Sequence, residues 1–295
     1  MISTNTPRVP QAGEIVDHYR LLSLVASSGM ASVFRAMDVE TGQLFAVKFS
    51  NLRKSRKSFL NNLFGNELKI SLKLNHPRLV KMLPEANAHS GYIVMEWVEG
   101  KSLRRILDEQ AKLPVDRAIR IAVSLCEALE YVHGHHIVHG DLKPENVLVE
   151  LSDQIRLLDF GIAQYSKWNR WKRWTPAHAS GTPGYVSPEC IVGKSGDAKS
   201  DIYSLGITLF EMLTGWVPFS GVDPSVAMQM RTQFELPLAS DIDSQILPRI
   251  DVIISRATAL NRYERYPNAR ELAADLSACL VEETKEREAE SVVQV

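Results

Sequence analysis

The first hundred residues alternate short apolar runs with turn-forming residues, a pattern typical of a β-sheet. The runs, rich in apolar and β-branched residues, cover positions 19–25, 32–38, 43–50 and 92–98. Ser/Gly and Thr-Gly turns separate the first three runs. A charged stretch at residues 57–74 has helical character and is followed by Pro77. The pattern therefore predicts a sheet with one helix in this part of the chain.

Beyond Gly100 the apolar residues take up the spacing of helices. They recur at intervals of three and four residues, which places them on one face of an amphipathic helix. These residues are Ala118, Ile121, Ala122, Leu125, Leu129 and Val132. Pro114 and Asp116 mark the start of this helix. Residues 202–213 are apolar almost all round, which predicts a helix buried on every side.

These patterns predict an α+β chain in two parts, with a boundary near Val98–Gly100. Residues 1–18 are polar and are interpreted as a flexible lead-in. Residues 19–280 are expected to form the folded domain, with one lobe at about 19–95 and the other at about 99–280. Residues 281–295 form a charged tail. A cleft between two such lobes is a preferred place for a small ligand.

Composition excludes several classes of protein. The 295 residues carry 34 basic and 35 acidic side chains, so no global basic field exists to hold nucleic acid or an anionic membrane. Three scattered cysteines, Cys126, Cys190 and Cys279, form neither a disulfide framework nor a zinc motif and indicate a reducing compartment. No apolar run approaches the roughly 18–20 residues that span a bilayer. The sequence therefore predicts a soluble, cytoplasmic protein.

Several short motifs follow one another in an order that is more informative than any one of them. They are AVK (46–48), Glu67, HGDLKPEN (139–146), DFG (159–161), GTPGY (181–185) and SPE (187–189). In these motifs and their spacing the chain resembles the protein kinase family, and most closely its bacterial serine/threonine kinases, over about residues 19–280.

The resemblance implies a bilobal protein kinase fold, with a small mainly-β N-lobe and a larger mainly-α C-lobe, that binds ATP and Mg²⁺. It implies that Lys48 contacts the α- and β-phosphates and is held there by Glu67. Asp159 and Asn146 are the implied magnesium ligands, since a hard cation prefers carboxylate and amide oxygen.

The same resemblance assigns the groups that act on the substrate. Asp141 is implied to orient the substrate hydroxyl and accept its proton. Lys143 is implied to meet the γ-phosphate, and a lysine at this position indicates serine or threonine in a protein substrate. Adenine is implied to lie among apolar side chains and to contact backbone groups. These residues are Val25, Val33, Ala46, Leu148 and Met95, with the backbones of Glu96 and Val98.

Other residues match positions with structural roles in the family. His139 is expected to pack under the catalytic loop, which carries the motif at residues 139–146, and Phe160 belongs to the DFG motif. Asp201 is expected to accept backbone N–H bonds from that loop. Glu189 and Arg265 match an ion pair that ties the end of the activation segment, residues 159–189, to a late helix.

The phosphate-covering loop departs from the family pattern. The resemblance implies that Ala26-Ser27-Ser28-Gly29-Met30-Ala31-Ser32-Val33 covers the phosphates, but Ala26, Ser28 and Ala31 occupy the three glycine positions. Alanine and serine resist the positive φ angles that glycine adopts, which predicts strain here and favours a pseudokinase as the alternative reading. A small-molecule kinase is a second alternative, which the peptide-positioning stretch at residues 181–189 disfavours.

Two more departures concern Gly140, which precedes Asp141, and the activation segment. Gly140 stands where most kinases have an arginine that receives an activation-loop phosphate. The sequence therefore predicts activity without phosphorylation of Thr175, Ser180 or Thr182.

Residues 167–174 hold three tryptophans among basic residues, which either pack onto the large lobe or form a docking surface that favours acidic protein partners. The sequence leaves the oligomeric state open.

Overall fold

The computed structural model describes residues 10–29, 31–51, 65–84, 91–165 and 183–280. These residues belong to two units. The first unit contains the chain up to Glu99 together with the short segment Asp159–Ile162, and the second contains the remaining residues from Gly100 onward. The DFG motif at 159–161 therefore belongs to the first unit, although it follows much of the second along the chain.

A five-stranded antiparallel sheet forms the framework of the first unit. Its strands lie in chain order as β1 Ile15–Val16, β2 Tyr19–Ser27, β3 Ala31–Asp38, β4 Leu44–Ser50 and β5 Tyr92–Glu96. In β3 every second residue from Ser32 is buried, because successive side chains of a strand point to opposite faces. Phe34 and Phe49 meet edge to face with ring centroids 5.8 Å apart. Helix α1 follows β4, and its described part covers residues 65–71.

The sheet begins earlier than the sequence pattern predicts. The prediction that residues 1–18 form a flexible lead-in is wrong for residues 15–18, because Ile15 and Val16 pair with the first two residues of β2. Asp17, at a φ of +53°, makes the tight turn between the two strands, and its carboxylate accepts a hydrogen bond from the Tyr92 hydroxyl. Two apolar residues are too short a run for periodicity to identify as a strand.

Helices dominate the second unit. They are α2 Leu103–Gln110, α3 Val115–Gly134, α4 Pro188–Ile191, α5 Ala198–Thr214, α6 Pro224–Gln233, α7 Ala239–Ile242, α8 Pro248–Ala257 and α9, residues 269–280. Short strands form two small sheets, in the orders β6-β8-β9 and β10-β7. These strands are β6 Gly100–Ser102, β7 Ile137–Val138, β8 Val147–Glu150, β9 Ile155–Leu157 and β10 Gln164–Tyr165.

The two helices predicted from apolar spacing lie where the sequence placed them. All six residues of the predicted stripe on α3 are buried. In α5 every residue from 200 to 213 is buried, which confirms the helix predicted to be covered on all sides. Gly206 permits this packing, because an added Cβ would lie 2.5 Å from Cγ2 of Thr258 just beyond α8.

The α+β class predicted from the sequence is confirmed by these two units. In the part of the chain that the structure describes, no helix combines the length and the apolar character needed to cross a bilayer.

Candidate active site

In the first unit, the ammonium group of Lys48 is bound by two carboxylates. Its Nζ donates to Oε1 and Oε2 of Glu67, each at 2.9 Å, and to Oδ2 of Asp159 at 3.1 Å. Lys48 comes from β4 and Glu67 from α1, while Asp159 belongs to the segment that joins this unit from later in the chain. The sequence predicted the Lys48–Glu67 pair, and the structure adds Asp159 to it.

Burial and charge together set the protonation of this cluster. Burial lowers the pKa of Lys48, but the carboxylates of Asp159 and Glu67 outweigh it and raise that pKa above its ordinary value. Burial raises the pKa of Glu67 to about 7, and the Lys48 cation opposes the rise. Lys48 therefore remains a fixed positive charge, which is what a phosphate ligand requires.

Asp159 is held in an unusual backbone conformation. Its φ is +64°, in the left-handed region that only a few non-glycine residues occupy. The N–H of Gly161 donates to Asp159 Oδ1 at 3.0 Å, and a Cβ at Gly161 would lie 3.0 Å from that same oxygen. Phe160 between them is 3% exposed. The glycine thus leaves room for the carboxylate, which is 37% exposed and accessible to a cation.

The strand register places the residues assigned to the nucleotide on one face of the sheet. Ala46 lies opposite Met95, and Lys48 lies opposite Val33. Opposed residues of an antiparallel pair share a face, and residues two apart in one strand do so as well. These four side chains therefore line the face that carries Lys48.

The remaining adenine-associated residues are less confined. Val25 of β2 is 52% exposed, Val98 is partly buried, and Leu148 is a partly buried residue of β8 in the second unit. The N–H of Glu96 donates to the carbonyl of Lys81 at 3.0 Å. The N–H of Glu96 is therefore already paired within the first unit.

In the second unit, the carboxylate of Asp141 accepts hydrogen bonds from two residues of its own loop. Lys143 Nζ donates to Oδ1 and Oδ2 of Asp141 at 3.0 and 2.8 Å. Asn146 Nδ2 donates to Oδ2 of Asp141 at 3.0 Å and to its backbone carbonyl at 2.7 Å. Because the amide nitrogen of Asn146 is used in this way, its oxygen is the group suited to a hard cation.

The loop that carries Asp141 is anchored on a buried carboxylate. Asp201 of α5, 1% exposed, accepts the backbone N–H groups of His139 at 2.9 Å and Gly140 at 2.8 Å. His133 Nε2 lies 2.8 Å from the same carboxylate. Burial raises the pKa of Asp201, but the hydrogen bond and charge of His133 and the loop N–H groups outweigh it and leave that pKa below its ordinary value.

His139 and Gly140 complete the support of this loop. The ring of His139 is fully buried, with Nε2 2.9 Å from the Leu158 carbonyl and Nδ1 accepting the N–H of Asp141 at 3.2 Å. Gly140 has a φ of +78°, a conformation that a side chain would strain. The sequence predicted the role of Asp201 but not the contact that His133 makes with it. The one feature of the sequence that points to this contact is the position of His133 in the last turn of α3.

The expected pair of Glu189 and Arg265 is present and buried. Arg265 Nη1 and Nη2 donate to the two oxygens of Glu189 at 2.9 and 2.8 Å, and the Ser200 hydroxyl donates to Oε1 at 2.7 Å. Burial raises the pKa of Glu189, but Arg265 and Ser200 outweigh it and hold that pKa at about 2. Arg265 also donates to the carbonyls of Ala259 and Lys199, so its charge is well satisfied.

The loop that the resemblance assigns to the phosphates is the hairpin between β2 and β3. Its described residues, 26–29 and 31, all lie outside the left-handed region, so the strain expected at the three glycine positions is absent from them. A hairpin that needs no positive φ at a position has no need of glycine there.

Some predictions fall on residues outside the described ranges. They concern Met30 of the loop, residues 166–182 with the three tryptophans, Gly181 and the threonines and serine of the activation segment, and the charged tail at 281–295.

Comparison with known proteins places the whole arrangement in context. The family model described as "Protein kinase domain" matches residues 19–290. A probable serine/threonine-protein kinase of Streptomyces coelicolor is 34% identical over 267 residues, which are 89% of this chain and 40% of that protein. Serine/threonine-protein kinase PknB of Mycobacterium leprae is 36% identical over 266 residues, 88% of this chain and 42% of that protein. The chain thus spans about two fifths of the length of these relatives.

A solved protein structure shares the fold of this chain. The kinase domain of Mycobacterium tuberculosis PknI superposes with a TM-score of 0.69 at 24% sequence identity, covering 92% of this chain and 99% of that one. At this identity the likeness concerns the fold alone.

Proposed function

The chain belongs to the protein kinase family, and on that premise we propose that it transfers the γ-phosphoryl group of ATP to serine or threonine hydroxyls of protein substrates. The observation that carries the proposal is the contact of Lys48 with both Glu67 and Asp159. A lysine held by two carboxylates is a fixed cation for phosphate, and phosphoryl transfer depends mainly on positioning and on such charges. The curated relatives named above are serine/threonine kinases by name.

In the first unit, Lys48 supplies charge to the α- and β-phosphates. Glu67 holds the ammonium with two hydrogen bonds, which limits its motion when the phosphates bind. Asp159 would hold Mg²⁺ through its carboxylate, and this cation usually takes its other ligands from phosphate and water. In the second unit, the amide oxygen of Asn146 is likewise of the type that Mg²⁺ prefers. When bound, Mg²⁺ supplies positive charge to the β- and γ-phosphates.

In the second unit, Asp141 orients the substrate hydroxyl and accepts its proton. Its two oxygens are held by Lys143 and Asn146, which fixes the carboxylate while leaving it about one third exposed to a substrate. Lys143 is the cation next to the reacting group and supports the γ-phosphate as charge develops there. A lysine two residues after the aspartate supports serine and threonine over tyrosine as acceptors.

Transfer is favoured over the pseudokinase alternative by two observations. The charged residues that transfer requires are all present, with Lys48 and Asp141 in bonded contact with their partners. The loop that raised the alternative has no left-handed residue among its described positions, so its alanines and serines carry no backbone strain there.

The test is incorporation of labelled phosphate from ATP into a generic basic protein, followed by identification of the phosphorylated amino acid. Asp141→Asn should lower turnover at least about a hundredfold, because it removes the proton acceptor, while ATP affinity changes little. Asp108→Asn, the same change at a surface residue of the second unit, should leave turnover unaltered. Equal turnover in the parent and Asp141→Asn, or label on tyrosine, would contradict the proposal.

A further inference from the structure

A network of neutral side chains closes the hairpin between β2 and β3. Asn51, the residue after β4, donates from Nδ2 to the Ser28 carbonyl at 2.7 Å and accepts the Ser32 hydroxyl on Oδ1 at 2.9 Å. The hydroxyls of Ser27 and Ser32 lie 3.0 Å apart. The turn itself is closed by the Ser28 N–H, which donates to the Ala31 carbonyl at 2.8 Å. One amide side chain therefore bonds both arms of the hairpin.

This network lies on the face of the sheet opposite to Lys48. Val33 is paired with Lys48 and shares its face, and Ser32, the residue before Val33, points to the other face. Ser32 is 2% exposed, and its hydroxyl is bonded on both sides by Ser27 and Asn51. The network thus supports the hairpin from behind and does not reach the face that carries the nucleotide residues.

Both functions of the Asn51 amide are used. The Ser28 carbonyl accepts a hydrogen bond and the Ser32 hydroxyl donates one, so a side chain with both a donor and an acceptor fits both. Ser32 and Asn51 are 19 positions apart in the chain. The contact joins the hairpin to the end of β4, the strand that carries Lys48.

We propose that Asn51 is a positioning residue for the phosphates of the nucleotide: it fixes the glycine-poor β2–β3 hairpin in the conformation that covers them. The inference rests on the proposed function, since it assumes that this hairpin contacts ATP. In a glycine-rich loop the backbone adapts to the phosphates. In this chain Asn51 and Ser32 hold a hairpin that is already formed, which lowers the cost of ordering it on binding.

The experiment compares Mg²⁺-ATP, which carries the phosphates, with adenosine, which lacks them. Calorimetry on the full chain measures the Kd of Mg²⁺-ATP and of adenosine for the parent, for Asn51→Ala and for the control Gln43→Ala, which removes an exposed amide from the β3–β4 turn. For Asn51→Ala we expect ATP to bind about tenfold more weakly, the size expected when hydrogen bonds of this kind are lost. Adenosine should bind as in the parent, and the midpoint of thermal unfolding should move by less than about 2 °C.

A second variant tests the network itself. Ser32→Ala removes the same Ser32–Asn51 hydrogen bond as Asn51→Ala. The double variant Asn51→Ala/Ser32→Ala should therefore lose less ATP affinity than the sum of the two single losses. Independent, additive losses would overturn the inference.

The outcomes separate the two proposals. A parent that binds no Mg²⁺-ATP contradicts the proposed function and the inference with it. A parent and an Asn51→Ala variant that bind ATP equally well overturn the inference alone. An equal loss of ATP and adenosine affinity, or a large fall in thermal stability, would assign Asn51 a purely structural role and also overturn it.

Discussion

The catalytic loop of the second unit and the β2–β3 hairpin of the first both depart from the family pattern, yet they are held by different means. The catalytic loop is held by one buried carboxylate, that of Asp201, which accepts hydrogen bonds from two backbone N–H groups and contacts His133. The hairpin is closed by uncharged hydrogen bonds among exposed or half-buried residues, with only Ser32 fully covered.

The difference explains which departures the chain tolerates. A hydrogen bond to a buried charge is stronger than a neutral one, and removing its partner leaves groups without compensation in a place that water does not reach. Neutral bonds near solvent are replaced by water when they break. We therefore expect the stability of the protein to be sensitive to single changes at the buried anchor of the catalytic loop and tolerant of single changes in the hairpin.

The largest expected effect comes from removing the anchor of the catalytic loop. Asp201→Ala leaves two N–H groups and His133 without their acceptor, and we expect the free energy of unfolding to fall by about 3–5 kcal/mol. Urea denaturation measures this. Asp241→Ala, at an exposed position of α7, should change it by less than about 0.5 kcal/mol. Equal effects of the two substitutions would show that the loop does not depend on Asp201.

A smaller effect, with a definite pH dependence, is expected at Glu189, another buried carboxylate of the same unit. The folded pKa of Glu189 is about 2, below its ordinary value of 4.5. Its contribution, about 3 kcal/mol, is therefore present above pH 4.5 and is lost as the pH falls toward 2.

Glu189→Gln tests this dependence, because glutamine does not titrate. Denaturation series between pH 7 and pH 3 should show the parent losing more stability than the variant. The variant should also be less stable at pH 7, since Arg265 then lacks a charged partner. Parallel pH profiles would contradict the assigned pKa.

The smallest effect is expected in the hairpin. Replacing Ala26, Ser28 and Ala31 together with glycine restores the family pattern, but none of the three has a positive φ that glycine would relieve. ATP affinity should therefore change by less than about threefold, with a slight loss because glycine makes the free hairpin more mobile. Calorimetric titration of parent and triple variant measures this. A gain of tenfold or more would mean that the parent hairpin is strained when ATP binds.

Sequence reasoning located most of the candidate site and less of what supports it. The order of the motifs identified Lys48, Asp141 and Asp159, because each of them lies within a short motif of consecutive residues. The apolar spacing of α3 and α5 located both helices, since period-3.6 burial is a local property of the chain. Strand β1 was missed because two residues carry no period.

The sequence alone determined which residues are candidates for the site and which of the longer segments form helices or strands. Propensity, periodicity and motif spacing act over a few neighbouring positions, so they can be read directly from the chain. The tertiary structure alone decided which distant groups meet. His133 and Asp201 are 68 positions apart, and Asn51 and Ser28 are 23 apart. An asparagine or a histidine in the chain has many possible partners, and only the packing of strands and helices brings one donor within 3 Å of one acceptor.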